Sequence, residues 1–154
     1  MIGGRLGDTV DAGDGDNLVI GDSGRIRAAF SDAVQQLAGL PMTLGHIETT
    51  TFNDGGDDKI TTGTGRDMVL GGFADDTIVT GAGDDIALGD NGELIFDAPV
   101  DVPIDPAILD IIRTTAPNDG GNDDISGNAG YDILVGGTGT DWLFGDDSSA
   151  SAGD

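Results

Sequence analysis

An all-β fold of short stacked strands is what the sequence predicts, on three observations. A nine-residue pattern recurs in three blocks; 28 of the 154 residues are glycine; and 29 acidic against 6 basic side chains leave a formal net charge of −23 with only 5% aromatic residues. Such a charge opposes the collapse of a conventional core, so the chain is expected to be disordered without counterions. It also excludes partners that carry phosphate, both nucleic acid and anionic lipid surfaces. No apolar run approaches the roughly 18 residues of a membrane span, and the start, Met1-Ile2-Gly3-Gly4-Arg5, has no signal-peptide core, so no membrane insertion is expected. The absence of cysteine removes disulfides and thiolate metal sites.

The units run 3–11, 12–20, 53–61, 62–70, 71–79, 80–88, 118–126, 127–135 and 136–144. Their sixth positions are Asp8, Asn17, Asp58, Asp67, Asp76, Asp85, Asp123, Asp132 and Asp141, and their eighth positions are all apolar, from Val10 and Val19 to Leu134 and Leu143. Position four is glycine in seven units, with Leu6 and Ala74 as the departures. In each unit the first six residues must reverse the chain, which needs glycine where φ is positive, and the last three form a strand whose central apolar residue points inward. Glu48 and Glu93 are the only glutamates. Short carboxylates beside glycines suggest tight turns that grip a cation.

A longer period lies above the first. Ile47 to Asp58 matches Ile112 to Asp123 at a shift of 65, and Gly21-Asp22-Ser23-Gly24 matches Gly89-Asp90-Asn91-Gly92 at 68. The chain therefore divides into a partial block 1–24, an insert 25–52, a block 53–92, an insert 93–117 and a block 118–154, each block closing with Gly-Asp. Both ends fall inside the pattern, so the array is expected to continue beyond them. The insert edges are β-branched and predict strands, 25–30 with 47–51 and 94–96 with 111–115. Short helices are expected between them, at 32–38 behind the cap Ser31 and at 107–110 behind Asp105-Pro106. In the blocks, alternate units present Lys59/Thr61 and Thr77/Val79 on one outer face, and Met68/Leu70 and Ile86/Leu88 on the other, an apolar face continued by Leu18/Ile20 and Ile133/Val135. Either the inserts or another copy of the protein must cover it. Trp142 and Phe144 are expected near the end of that face, although strand parity alone sets Trp142 beside Asp124.

The unit Gly136-Gly137-Thr138-Gly139-Thr140-Asp141-Trp142-Leu143-Phe144 resembles the nonapeptide GGxGxDxUx of the RTX, or haemolysin-type, calcium-binding family. That resemblance implies a right-handed parallel β-roll with the two inserts packed on it. In such a roll two units make one coil, and units eighteen residues apart stack at about 4.8 Å. Their carboxylates and turn carbonyls then converge on a gap that suits Ca²⁺, which takes six to eight oxygen ligands at about 2.3 to 2.6 Å. Several ions are expected, held by Asp58 with Asp76, Asp67 with Asp85, and Asp123 with Asp141. Asp8, Asn17 and Asp132 need partners across an insert or outside the sequence, and Asn17 weakens its site by removing a charge.

Catalysis is not expected. Gly21-Asp22-Ser23-Gly24 looks like the nucleophile segment of trypsin-like proteases, with His46 the only imidazole, but it recurs at Gly89 without the serine and reads as a closing turn. No EF-hand loop has a glutamate in twelfth place, and the third positions are too varied for a flat threonine array that would recognise ice. The arrangement is similar to the repeat arrays of very large bacterial surface proteins. By that resemblance it is a calcium-binding structural module, exported unfolded through a type I channel, folding outside the cell and serving as a spacer or assembly unit. Two alternatives stand beside this: the folding tail of a secreted protease or lipase, and part of a ligand-binding adhesin. Open strand edges favour self-association into arrays or fibres.

Overall fold

Each nine-residue unit ends in one strand. The computed structural model describes residues 1–29, 43–96 and 108–146, and in it the units supply β1 (Thr9–Gly13), β2 (Leu18–Ile20), β5 (Lys59–Thr62), β6 (Met68–Gly72), β7 (Thr77–Val79), β8 (Ile86–Asp90), β11 (Asp124–Asn128), β12 (Ile133–Val135) and β13 (Trp142–Asp146). Between them lie β3 (Gly24–Ala28), β4 (Leu44–Thr49), β9 (Gly92–Ile95) and β10 (Ile111–Thr114). The described residues are all-β, with no helix. The helix expected at 107–110 is absent over Ile108 to Asp110, where Asp110 N–H instead donates to the Ile95 carbonyl and leads into β10; the one expected at 32–38 lies outside the described residues.

The unit strands alternate between two parallel sheets. One has the order β1-β5-β7-β11-β13 and the other β12-β8-β6-β2. Register is kept at the eighth position throughout: Val10 faces Ile60, Ile60 faces Ile78, Ile78 faces Ile125, and Ile125 faces Leu143. Val10, Ile60, Ile78 and Ile125 form one apolar cluster with their counterparts Val19, Val69 and Ala87 from the other sheet, fully buried at Ile60, Ile78 and Ile125. The parity rule of a strand puts the seventh and ninth residues on the opposite face.

The third sheet is antiparallel, β10-β9-β4-β3. The expected pairs form, Arg25 opposite Glu48 and Ile111 opposite Ile95, but β4 also pairs with β9, with Ile47 opposite Leu94. Both excursions thus share one sheet rather than folding as separate hairpins. Its inward side chains Ile47, Leu94 and Phe96 meet Ile20, Leu70 and Leu88 of the four-stranded parallel sheet in a second apolar cluster. Hydrophobic burial explains why this face needs no second copy: Leu70, Leu88 and Ile20 are completely inaccessible. Trp142 and Phe144 do not lie on it. β13 pairs with β11, Trp142 opposite Asp124 and Phe144 opposite Ser126, because the offset across the second excursion preserves the alternation of units between sheets.

Candidate metal centres

In seven of the nine units the turn before the strand is built on left-handed backbone at position four. Position four has φ of 100° at Gly15, 138° at Gly65 and 141° at Gly130, and the two non-glycine residues there are driven into the same region, Leu6 at 72° and Ala74 at 81°. The turn geometry therefore overrides residue preference. Its effect is to deliver the sixth-position side chain inward, under the turn of the neighbouring unit.

These side chains form two columns. In the first, the Asp8 N–H donates to Asp58 Oδ1 at 2.7 Å, Asp58 N–H to Asp76 Oδ1 at 2.8 Å, Asp76 N–H to Asp123 Oδ1 at 2.9 Å, and Asp123 N–H to Asp141 Oδ1 at 3.0 Å. In the second, the Asn17 N–H donates to Asp67 Oδ1 at 2.8 Å, Asp67 N–H to Asp85 Oδ1 at 2.8 Å, and Asp85 N–H to Asp132 Oδ1 at 3.1 Å. All nine sixth-position residues are brought into line, the partners across the excursions standing 50 and 47 residues away instead of 18. Asn17 does not offer a second anionic oxygen; its amide nitrogen is spent on the Gly13 and Gly15 carbonyls and on Asp67.

In Asp58, Asp67, Asp76, Asp85, Asp123 and Asp132 one carboxylate oxygen is thus used, and the other is stranded. Oδ2 of Asp8, Asp58, Asp67, Asp76, Asp85, Asp123 and Asp132 is buried with no hydrogen-bond partner. An unsatisfied buried carboxylate oxygen costs more than a neutral group, so a ladder of them is untenable without a counter-charge. The stranded atoms pack against glycines, where any side chain would collide with them. A Cβ on Gly71 would overlap both Asp76 Oδ2 and the Gly89 carbonyl oxygen, and a Cβ on Gly21 would overlap Asp58 Oδ2 with the Gly71 carbonyl nearby. Carboxylate and carbonyl oxygens brought together in this way fit a hard cation with loose geometry, as Ca²⁺ is, and offer no soft donor.

Electrostatics agree. Burial, reinforced by neighbouring carboxylates, pushes Asp76 up to about 9, Asp123 to about 7 and Asp58 to about 6, and raises Asp85, against the backbone N–H bonds that pull the other way. These four carboxyls therefore give up their protons less readily than free carboxylates do.

Two further acidic positions lie outside the sixth-position pattern. Asp22 and Asp90 close their blocks and are buried; Asp22 accepts the N–H of Gly56 at 3.2 Å and of Phe73 at 2.6 Å, and Asp90 accepts those of Gly121 at 2.8 Å and of Thr138. With both oxygens occupied they are anchors that tie a block's last turn to the units above it. Their recurrence as Gly-Asp is the sequence signal that marks them. The fifth position carries a second ladder of opposite polarity: Asp75 Oδ1 accepts Asn122 N–H at 2.8 Å, Asn122 Oδ1 accepts Thr140 N–H at 2.9 Å, and exposed Asp84 accepts Tyr131 N–H at 3.1 Å.

His46, Glu48 and Glu93 converge on the antiparallel sheet within 4.8 Å. This cluster does not suit a cation. Arg25 and Arg27 bond Glu48 at 2.6 and 3.2 Å, Arg113 bonds Glu93, and the ring nitrogens of His46 are taken by Arg27 and by Glu93 at 2.6 Å. Three guanidiniums already balance two carboxylates. Burial opposes ionisation of Glu93, but Arg113 and His46 outweigh it and hold the carboxyl below its usual range. Nor does His46 serve Ser23: in the strand register it stands opposite Arg27, while Ser23 precedes the Gly24–Thr49 pair at the other end.

A family model described as RTX calcium-binding nonapeptide repeat (4 copies) matches residues 2–25, 52–92 and 118–149. No curated protein and no solved structure matches the chain. The family match spans more than half of the residues, and the chain belongs to the RTX calcium-binding nonapeptide repeat family. RTX repeats bind Ca²⁺ in a structural rather than catalytic role and occur in secreted bacterial proteins.

Proposed function

Proceeding from that membership, we propose that the chain is a calcium-loaded right-handed parallel β-roll, the two parallel sheets being its walls and the antiparallel sheet a cover contributed by the two inserts, 25–52 and 93–117. The blocks 1–24, 53–92 and 118–154 carry the metal. Asp8, Asp58, Asp76, Asp123 and Asp141 line one row of sites, and Asn17, Asp67, Asp85 and Asp132 the other, Oδ2 and glycine carbonyls turned to the ion. The observation that carries this reading is the repeated stranding of Oδ2 against a glycine and beside a turn carbonyl oxygen. Because binding free energy is folding free energy in a site of this kind, the module stays unfolded where calcium is scarce and folds where it is near millimolar. That behaviour suits export in an unfolded state and service outside the cell as a spacer or assembly unit of a bacterial surface protein.

Calcium titration of two variants tests the ligand assignment. Asp67→Ala removes a stranded oxygen and should lower calcium affinity by at least about tenfold at its site, whereas Asp84→Ala removes an exposed carboxylate that only caps a neighbouring N–H and should leave affinity within about twofold. Equal losses in the two would show that the sixth position is not the ligand row.

A further inference from the structure

One step of the two columns differs in chemistry from the others. Across the first insert, units 3–11 and 12–20 meet units 53–61 and 62–70 at two steps, each spanning 50 residues. On the first column Asp8 meets Asp58, and both leave Oδ2 buried with no hydrogen-bond partner. On the second column Asn17 meets Asp67, and Asn17 is the one sixth-position residue that has no carboxylate.

The Asn17 side chain gathers oxygens of the kind a hard cation collects. Its Nδ2 donates to the Gly13 carbonyl at 2.9 Å, to the Gly15 carbonyl at 2.5 Å and to Asp67 Oδ1 at 3.0 Å. These are the second- and fourth-position carbonyls of its own turn and the sixth-position carboxylate of the facing turn. Two amide hydrogens serve three acceptors, so one hydrogen is shared. Turned the other way, the amide would aim Oδ1 at the same three oxygens, a repulsive arrangement unless a cation stood between them. The rest of the step is also closed by the protein's own donors. Gly15 N–H donates to the Thr64 carbonyl at 2.6 Å, and the Thr64 N–H and hydroxyl both donate to Asp14 Oδ1 at 3.0 Å. Arg66 N–H donates to Asp16 Oδ1 at 2.8 Å, with the guanidinium 3.8 Å from Asp16 Oδ2.

We infer that the Asn17–Asp67 step takes no calcium, the Asn17 amide acting there as a fixed donor in place of the ion. The joint across the first insert then has one step that depends on a cation, Asp8 to Asp58, and one that closes without it. The inference rests on the calcium reading of the columns and narrows it at this step, leaving Asp67 Oδ2 for the step to Asp85. An aspartate at position 17 would replace the amide donors with a second anionic carboxylate, so Asn17→Asp should turn the step into a site of the kind proposed for the others.

Equilibrium dialysis of the whole chain against radioactive Ca²⁺ tests it by counting bound ions in wild type, Asn17→Asp, Asn17→Ala and, for calibration, Asp85→Ala. Asn17→Asp should bind one ion more than wild type and Asn17→Ala the same number, while Asp85→Ala should bind fewer. Circular dichroism on the same samples establishes that each variant has folded. A second measurement needs no variant: in calcium-loaded wild type the Asn17 side-chain amide protons, followed by ¹⁵N nuclear magnetic resonance, should exchange with solvent at least about tenfold more slowly than those of exposed Asn53. An unchanged count in folded Asn17→Asp, a count reduced by one in folded Asn17→Ala, or Asn17 amide protons that exchange as fast as those of Asn53 overturns the inference and leaves the calcium reading of the other steps standing. Wild type that folds and binds no calcium would overturn that reading instead, and the exchange of the Asn17 amide would still decide whether it bridges the step.

Discussion

Asp76 is 1% exposed and stands between the carboxylates of Asp58 and Asp123 in its column. Burial first and those neighbours second make its charge unfavourable, and no cation among the described residues answers it, since Lys59 and the arginines lie on outer surfaces. A residue of opposite character matters equally. Gly130, at position four with φ of 141°, lies so close to the neighbouring unit that a Cβ would overlap the Gly83 carbonyl oxygen. Gly130→Ala should cost more than about 1 kcal/mol, whereas Gly145→Ala, whose Cβ meets nothing within 4 Å, should be nearly neutral. Thermal unfolding of the calcium-loaded variants checks the difference, and equal stability would remove the argument from turn geometry. Position-six aspartates and position-four glycines are both legible in the sequence, because each recurs at a fixed period. The fifth-position ladder is not, since Gly7, Asp16, Arg66, Asp75 and Tyr131 share no chemistry and the bond they support is made largely by a neighbour's N–H.

Among the elements, β4 and β9 decide whether the inserts hold together. Their pairing, Ile47 opposite Leu94, joins segments that the sequence reads as independent hairpins; each has the same β-branched edge pattern, and nothing in that pattern specifies which strand lies next to which. The same limit explains Trp142. Its side of the stack depends on how many residues the second excursion takes before the units resume, and the observed offset of 47 from Asp76 to Asp123 keeps β11 and β13 in the sheet of β5 and β7. The apolar face, by contrast, is readable, and so is its need of cover. Ile47 is fully buried in the cluster beneath that cover, so Ile47→Ala should destabilise the calcium-loaded protein by about 2 to 5 kcal/mol, while Ile108→Ala, at a position 55% exposed, should change it little. Denaturant unfolding in excess Ca²⁺ separates the two, and similar midpoints would mean that the antiparallel sheet contributes no stability to the rest.

At the scale of the whole molecule, a net charge of −23 and stranded carboxylate oxygens in both columns make folding conditional on what neutralises them. Protons and cations act on the same oxygens. In the ion-free fold, Asp58, Asp123 and Asp76 hold protons up to about 6, 7 and 9, above the ordinary carboxylate value of 3.8 that the unfolded chain keeps. The folded state therefore binds more protons than the unfolded state across that window, and its stability falls as pH rises. In chelator, lowering the pH from about 8 to about 5 should raise strand content, and in limiting Ca²⁺ the same change should weaken binding by competition. A chelated chain whose strand content rises with pH would reverse the sign of this coupling.

The central claim is that the sixth-position columns take Ca²⁺ and that the fold depends on it. Far-ultraviolet circular dichroism of the chain at neutral pH, in EGTA, in millimolar Ca²⁺ and in millimolar Mg²⁺, tests it most directly. Coil in EGTA, strand in Ca²⁺ and little strand in Mg²⁺, whose stricter octahedron the mixed carboxylate and carbonyl oxygens do not provide, is the result expected. Equal strand content with and without Ca²⁺, or full rescue by Mg²⁺, would contradict it.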